Sequence, residues 1–152
     1  MPVQEKADYS ICDSGLIDPV SKTDLIGELL KNARTIAVVG LSDSPMRTSN
    51  SVSKYMQSQG YKIIPVNPQI DASLGEKSYA SLTDVPETID LVNVFRRPEH
   101  VPEVVEEAIR LKLRAIWLQE GVVHEPAAKK ARKAGIFVVM DRCIYKEHAV
   151  RR

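Results

Sequence analysis

The sequence predicts an α/β chain built on a five-stranded parallel sheet, and three observations lead there. Five short apolar runs rich in β-branched residues recur at 35–40, 62–66, 89–95, 114–118 and 136–140. The segments between most of them carry apolar residues at helical spacing. Each run ends abruptly in glycine, proline or charge: Gly40, Asn67-Pro68, Arg96-Arg97-Pro98, Gln119-Glu120-Gly121 and Asp141-Arg142-Cys143. Strands alternating with helices make βαβ units, whose crossovers are right-handed. The expected form is a Rossmann-like, doubly wound single domain with strand order 3-2-1-4-5. Sheets of this kind bind ligands at the carboxyl ends of the strands, here expected at the switch between strands 1 and 4.

Residues 1–20 contain Asp13, Gly15, Asp18 and Pro19 without sustained periodicity and are expected to form an N-terminal arm, with the domain occupying 21–152. Ser21 with Asp24 resembles a capping box, after which Leu25, Ile26, Leu29, Leu30 and Ala33 recur as a helical stripe. The first strand follows, then a loop over 41–48 and a helix capped by Thr48 or Ser49. Val52, Tyr55 and Met56 line that helix and Gly60 stops it. Lys62–Val66 is the second strand. Asn67-Pro68 ends it in a loop, because a residue before proline avoids the helical region. Residues 69–86 read as loop, with Leu74-Gly75 and a short helix at Ser81–Val85. The third strand leads to a helix striped by Val101, Val104, Val105, Ala108 and Leu111. The fourth strand leads to a helix over 125–134, and a short polar tail follows the fifth.

Composition is that of an ordinary globular chain of 152 residues, with 43% hydrophobic and 27% charged residues and a net charge of +1. No basic excess exists to drive nucleic-acid binding by counterion release. No apolar run approaches membrane-spanning length, and the polar start lacks a signal-peptide core. Cys12 and Cys143 form no metal-binding or redox pair, so free thiols, a cytoplasmic location and no metal site are expected.

The predicted rim gathers the residues that carry any chemistry. The first strand delivers Gly40 to a polar loop and a helix start, where unpaired backbone N–H groups and the helix dipole favour a phosphate. The same glycine also serves a plain βα bend, and the stretch alone admits both readings. A nicotinamide dinucleotide site would want G-x-G-x-x-G and an acid ending the second strand. This chain has one glycine followed by G-x-S, and Asn67 in place of the acid. Arg47, Arg96 and Arg97 come from two exits and can converge on phosphates, which guanidinium groups bind bidentately. Phe95 offers an apolar wall, and Trp117 belongs to the core. His100, His124 and His148 are scattered, without a nucleophile partner, and suit solvated or capping roles. Glu120 and Asp141 could pair as acid and base. Lys129, Lys130, Arg132 and Lys133 form the wet face of the last helix. Cys143 follows an arginine at the rim, which favours a thiolate.

The ordered set Val-Val-Gly-Leu-Ser (38–42), Pro-Val-Asn-Pro (65–68), Leu-Gly-Glu-Lys (74–77), Ser-Leu-Thr-Asp-Val-Pro (81–86), Val-Phe-Arg-Arg-Pro (94–98), Trp-Leu-Gln-Glu-Gly-Val-Val (117–123) and Met-Asp-Arg-Cys (140–143) resembles the small stand-alone CoA-binding proteins. These are similar to the CoA-binding domain of the succinyl-CoA synthetase alpha subunit. The resemblance spans residues 22–147 and implies a Rossmann-like fold holding coenzyme A, or an acyl-CoA, along the strand exits. It places Gly40, Leu41 and Ser42 in the cofactor-binding set, with Arg47 and Ser49 on the phosphates. Asn67, Pro68, Phe95, Arg96 and Arg97 would flank the adenosine, and Gln119, Glu120 and Gly121 the pantetheine. The ligase subunit's separate domain with its phosphorylated histidine has no counterpart in these motifs, and no catalytic residue is assigned.

The expectation is therefore a CoA-binding protein, non-catalytic or regulatory, with a redox link if Cys143 meets the CoA thiol. The alternatives are an NADP-dependent or acyl-CoA-processing enzyme using Glu120 or Asp141, and a CoA-sensing subunit of a ligase complex. A protein partner or homo-oligomer is left open.

Overall fold

The computed structural model describes residues 24–152; the N-terminal arm, Ser21 and Cys12 lie outside them. Five parallel strands form the main sheet: β1 (Thr35–Val39), β2 (Lys62–Val66), β5 (Leu91–Val94), β6 (Ala115–Leu118) and β7 (Phe137–Met140). A small antiparallel pair, β3 (Ala72–Ser73) and β4 (Glu76–Lys77), stands apart from it. Among the described residues there are five α-helices: α1 (Leu25–Asn32), α2 (Thr48–Ser58), α3 (Val101–Arg110), α4 (Glu125–Lys133) and α5 (Ile144–Ala149).

Alternation along each strand divides the core into two layers. Ala37, Val39, Val92, Val94, Ile116 and Leu118 face α3 and α4. Ile36, Val38, Leu91, Ala115 and Trp117 face the layer that holds Ile26 of α1, Met56 of α2 and Ile144 of α5. Trp117 is wholly buried, as expected, and its indole N–H donates to the Arg142 carbonyl at 2.8 Å.

The fold class agrees with expectation, but the strand order does not. The sheet runs β2-β1-β5-β6-β7, which in the five-strand count is 2-1-3-4-5 rather than 3-2-1-4-5. The cause lies in the segment after β2. Its apolar residues Leu82, Val85 and Ile89 pack on the α3/α4 face, opposite to α2. A right-handed crossover on that face must travel back past β1, so β5 lands beside β1. Asp90 fixes the landing, accepting the N–H groups of Arg34 (2.9 Å) and Thr35 (3.0 Å) at the start of β1. β2 becomes an outer strand, which suits Pro65. Its carbonyl accepts the Tyr79 N–H at 3.0 Å on the outer side, so the missing N–H also points there and interrupts no ladder to β1.

Three local expectations change. Asp24 caps α1, accepting the Gly27 N–H at 3.1 Å. The short helix expected at 81–85 is a single 3₁₀ turn, Leu82–Asp84. The expected polar tail contains α5, which is too short to persist alone and is held by docking. Gln119 Oε1 accepts its Ile144 N–H at 3.1 Å, and Arg151 bonds both Glu147 (2.8 Å) and Asp24 (2.7 Å).

The Arg151 guanidinium, together with the Gly27 N–H, holds the Asp24 carboxyl below its ordinary value, against the opposing effect of burial. A lowered carboxylate adds stability that is fully present above its unfolded value, about 3.9, and is lost as pH falls through the folded value. Asp24→Asn keeps a capping side chain but loses the charge. In urea unfolding the variant is less stable than the parent at pH 7, and the difference shrinks as pH falls below the ordinary carboxylate value of about 3.9.

Candidate binding site at the carboxyl rim

The exit of β1 meets the exit of β5 at the centre of the rim. Gly40 has φ +90°, and a Cβ there would lie 2.5 Å from the Phe95 carbonyl oxygen and 3.0 Å from Cδ of Arg96. Glycine is therefore required both by the turn and by the close approach of the neighbouring strand. The switch in winding direction falls between β1 and β5, not between strands 1 and 4. The ligand crevice of such a sheet moves with it, to the gap between Gly40 and Phe95.

The loop from Leu41 to Arg47 is pinned from beneath. The buried Ser49 accepts the Ser42 N–H at 3.0 Å. The Ser42 carbonyl accepts Asn50 Nδ2 (2.9 Å) and Ser73 Oγ (2.9 Å). Asn67 Nδ2 donates to the wholly buried Leu41's carbonyl at 3.0 Å, while its Oδ1 accepts the Gln69 N–H at 2.9 Å. Ser49 and Asn67, expected to meet a ligand, instead brace the loop that would meet it. Neither Thr48 nor Ser49 caps α2. The capping position is Arg47, and no side chain bonds the helix's first N–H groups. The positive end of an eleven-residue helix thus opens beside Gly40.

Arg47, Arg96 and Arg97 make no ion pair among the described residues, whereas Arg110, Arg142 and Arg151 are all paired. Arg47 and Arg97 are exposed, and Arg96 lays its aliphatic stem against Gly40. Phe95 is half-buried against the α2 side of the sheet, and Pro68 is exposed at the β2 exit. Tyr79, which the sequence reading passed over, bridges to Val66 and bonds the Asn67 N–H, placing an aromatic ring beside that exit. No spacing rule announces it, because it arrives through the β3–β4 hairpin.

The exits of β6 and β7 are occupied by bonds within the protein. Gln119 is buried and bonds α5, Glu120 pairs with Lys146 Nζ at 3.2 Å, and the Gly121 N–H donates to Asp141 at 2.8 Å. Glu120 and Asp141 are thus each engaged in bracing the rim. Asp141 holds a left-handed backbone, φ +62°, which suits the tight return into α5. Cys143 is 8% exposed and packs in the core. His124 caps α4 by accepting the Ala127 N–H at 3.1 Å, and His148 bonds the Tyr55 hydroxyl at 2.9 Å.

Three cavities, of about 550, 530 and 300 Å³, lie at the opposite, amino end of the sheet. The largest of these receives the carboxyl ends of α1 and α2, with Lys31, Arg34, Arg151 and Arg152 around it. Helix carboxyl ends carry negative charge, so these cations complement carbonyls and Asp24 there. The rim, which offers a helix amino end and unpaired guanidinium groups, is the better anion site.

A family model described as "CoA binding domain" matches residues 34–149, which takes in β1, all five strand exits and all of α5. The chain belongs to this family. The uncharacterized Bacillus subtilis protein YneT is 50% identical over 125 residues, 82% of this chain and 93% of its own length. The alpha subunit of an ADP-forming acetate–CoA ligase II of Pyrococcus furiosus is 32% identical over 124 residues, 74% of this chain. That match spans only 27% of the ligase subunit. A solved hypothetical protein from Pyrococcus horikoshii superposes with a TM-score of 0.80 at 39% identity, covering 82% of this chain and 88% of its own. The chain is thus a CoA-binding domain related to ligase alpha subunits, and no helix among the described residues is long and apolar enough to cross a membrane.

Gly40→Ala places a Cβ against the Phe95 carbonyl at a positive φ. Urea unfolding is expected to register a loss of about 2 kcal/mol or more, because neither the backbone strain nor the neighbouring strand can relax cheaply.

Proposed function

We propose that this protein binds coenzyme A, or an acyl-CoA, at the carboxyl rim and acts by binding rather than catalysis. The observation that carries the reading is the uncapped start of α2 after the Gly40 turn, with Arg47, Arg96 and Arg97 making no ion pair among the described residues. Membership of the CoA-binding domain family supplies the ligand class. The pyrophosphate takes the α2 N-terminus, where the backbone donors and the dipole act together. Arg96 packs its stem against Gly40. The adenosine lies across the exits of β2 and β5, near Asn67, Pro68, Phe95 and Tyr79. The pantetheine runs toward Gln119, Glu120 and Gly121, of which the first two brace the rim through their side chains and Gly121 through its backbone N–H.

The engagement of Glu120 by Lys146 and of Asp141 by Gly121 favours binding over the acid–base alternative. Cys143 is buried, so a mixed disulfide with the CoA thiol would first require the β7 exit to open; the reading rests on non-covalent binding. A regulatory role, handing CoA status to a partner, fits a domain that covers about a quarter of the ligase alpha subunit it resembles.

Isothermal titration of nucleotide-free protein is expected to give micromolar binding of CoA and much weaker binding of NADP. Replacing Arg96 and Arg97 together by alanine lowers CoA affinity at least about tenfold, or 1.4 kcal/mol. Equal binding of NADP and CoA, or no effect of the double replacement, would overturn the reading.

A further inference from the structure

The cavity of about 550 Å³ at the amino end of the sheet has the size of a small-molecule site. Four cations line it: Lys31 of α1, Arg34 before β1, and Arg151 and Arg152 after α5. Asp24 is the one acidic lining residue, and Arg151 takes both its oxygens, at 2.7 and 3.0 Å. The remaining Arg151 nitrogen is held by Glu147 at 2.8 Å. Asp90, close in the fold, is spent on the backbone N–H groups of Arg34 and Thr35. The carboxyl ends of α1 and α2 add about half a negative charge each. Their carbonyls, however, have donors of their own. The Ala33 N–H reaches the Leu29 carbonyl at 2.9 Å, the Tyr61 hydroxyl reaches that of Leu30, and the Gly60 N–H reaches that of Gln57 at 3.0 Å. The Lys31 ammonium and the Arg34 guanidinium are left with no hydrogen-bond or ion-pair partner among the described residues. Arg152 only overlies the Tyr55 ring, 5.8 Å from its centroid.

The excess of positive charge calls for an anion, and the surroundings narrow its kind. Two helix carboxyl ends oppose a doubly charged phosphate more than a single charge. The one helix amino end nearby, that of α1, is already capped by Asp24, so it offers no phosphate cradle. A planar guanidinium instead matches the two oxygens of a carboxylate. Leu30, Ala33 and Tyr61 supply an apolar wall for an organic body.

We propose that this cavity is a second binding site, for a small organic carboxylate. Arg34 pairs with the carboxylate, Lys31 stands beside it, and the organic body lies against Leu30, Ala33 and Tyr61. The site is separate from the rim and does not depend on what the rim binds. His148 reports its occupancy. It lines the cavity, bonds the Tyr55 hydroxyl through Nδ1, and is held below its ordinary pKa by burial and by Arg152. A bound carboxylate offsets Arg152 and moves that pKa back up.

Amide and histidine-ring NMR spectra recorded during titration with benzoate test the proposal, at constant ionic strength because salt screens the attraction. Benzamide has the same shape without the charge, and inorganic phosphate has charge without the organic body. Benzoate is expected to give saturable shifts at Lys31, Arg34, Gly60 and Tyr61, with a Kd of about 10 mM or tighter for so small a probe. It also raises the His148 pKa. Benzamide and phosphate bind at least about tenfold more weakly. Arg34→Gln, checked for folding by circular dichroism, lowers benzoate affinity at least about tenfold, whereas Arg96→Gln leaves it unchanged. Benzamide or phosphate binding as well as benzoate overturns the proposal, as does undiminished benzoate binding by Arg34→Gln. Shifts that centre on Gly40 and Arg96, or that never saturate, overturn it too, and none of these outcomes bears on the coenzyme A reading of the rim.

Discussion

The contact between Gly40 and the Phe95 carbonyl organises this domain. Two neighbouring parallel strands whose connections leave toward opposite faces of the sheet open a crevice beyond their carboxyl ends. In this chain the strands come so close that the position between them has no room for a Cβ. The loop that follows can therefore fold down over β2, where Asn67, Ser49, Asn50 and Ser73 hold it. With the loop fixed, α2 begins with no side-chain cap on its first N–H groups. Each step depends on the one before, and all depend on the absence of a side chain at residue 40.

Much of the fold was legible because parallel strands are buried on both faces and read as unbroken apolar runs. All five were placed to within two residues or so at either end, and the helices between them followed from their stripes. Strand order was less legible. The segment from Asn67 to Asp90 has no helical stripe to declare which face it covers, and only its packing through Leu82, Val85 and Ile89 decides the matter. One clue was present in the sequence. Pro65 sits inside the second strand, and a proline belongs on an outer strand, whereas order 3-2-1-4-5 would have put it between two neighbours. The final helix was missed because a six-residue element draws its stability from tertiary partners, Gln119 and Asp24 among them, that lie far away in sequence.

The rim was legible as a set of residues but not as a set of roles. Gly40, Phe95 and Arg96 meet at the switch, while Arg47 precedes α2 and Arg97 follows Arg96 in the exit of β5. Ser49, Asn67 and Gln119 have the polar side chains a ligand would want, yet the protein uses them on its own backbone. Sequence cannot distinguish a polar group that meets a ligand from one that holds the loop that meets it. The difference lies in hydrogen-bond partners, and for these residues those partners are up to 26 positions away in the chain. Tyr79 illustrates the converse, an aromatic brought to the β2 exit by a hairpin turning at Leu74 and Gly75, both at positive φ.

The placement of the ligand at the carboxyl rim, rather than in the largest cavity at the amino end, is the central claim. Amide chemical shifts recorded during titration with CoA test it most directly. The account predicts the largest changes at Gly40, Thr48, Ser49 and Arg96, with Gly60, Tyr61 and Arg151 unmoved. Changes concentrated around Gly60, Tyr61 and Arg151 would contradict it and move the site to the other end of the sheet.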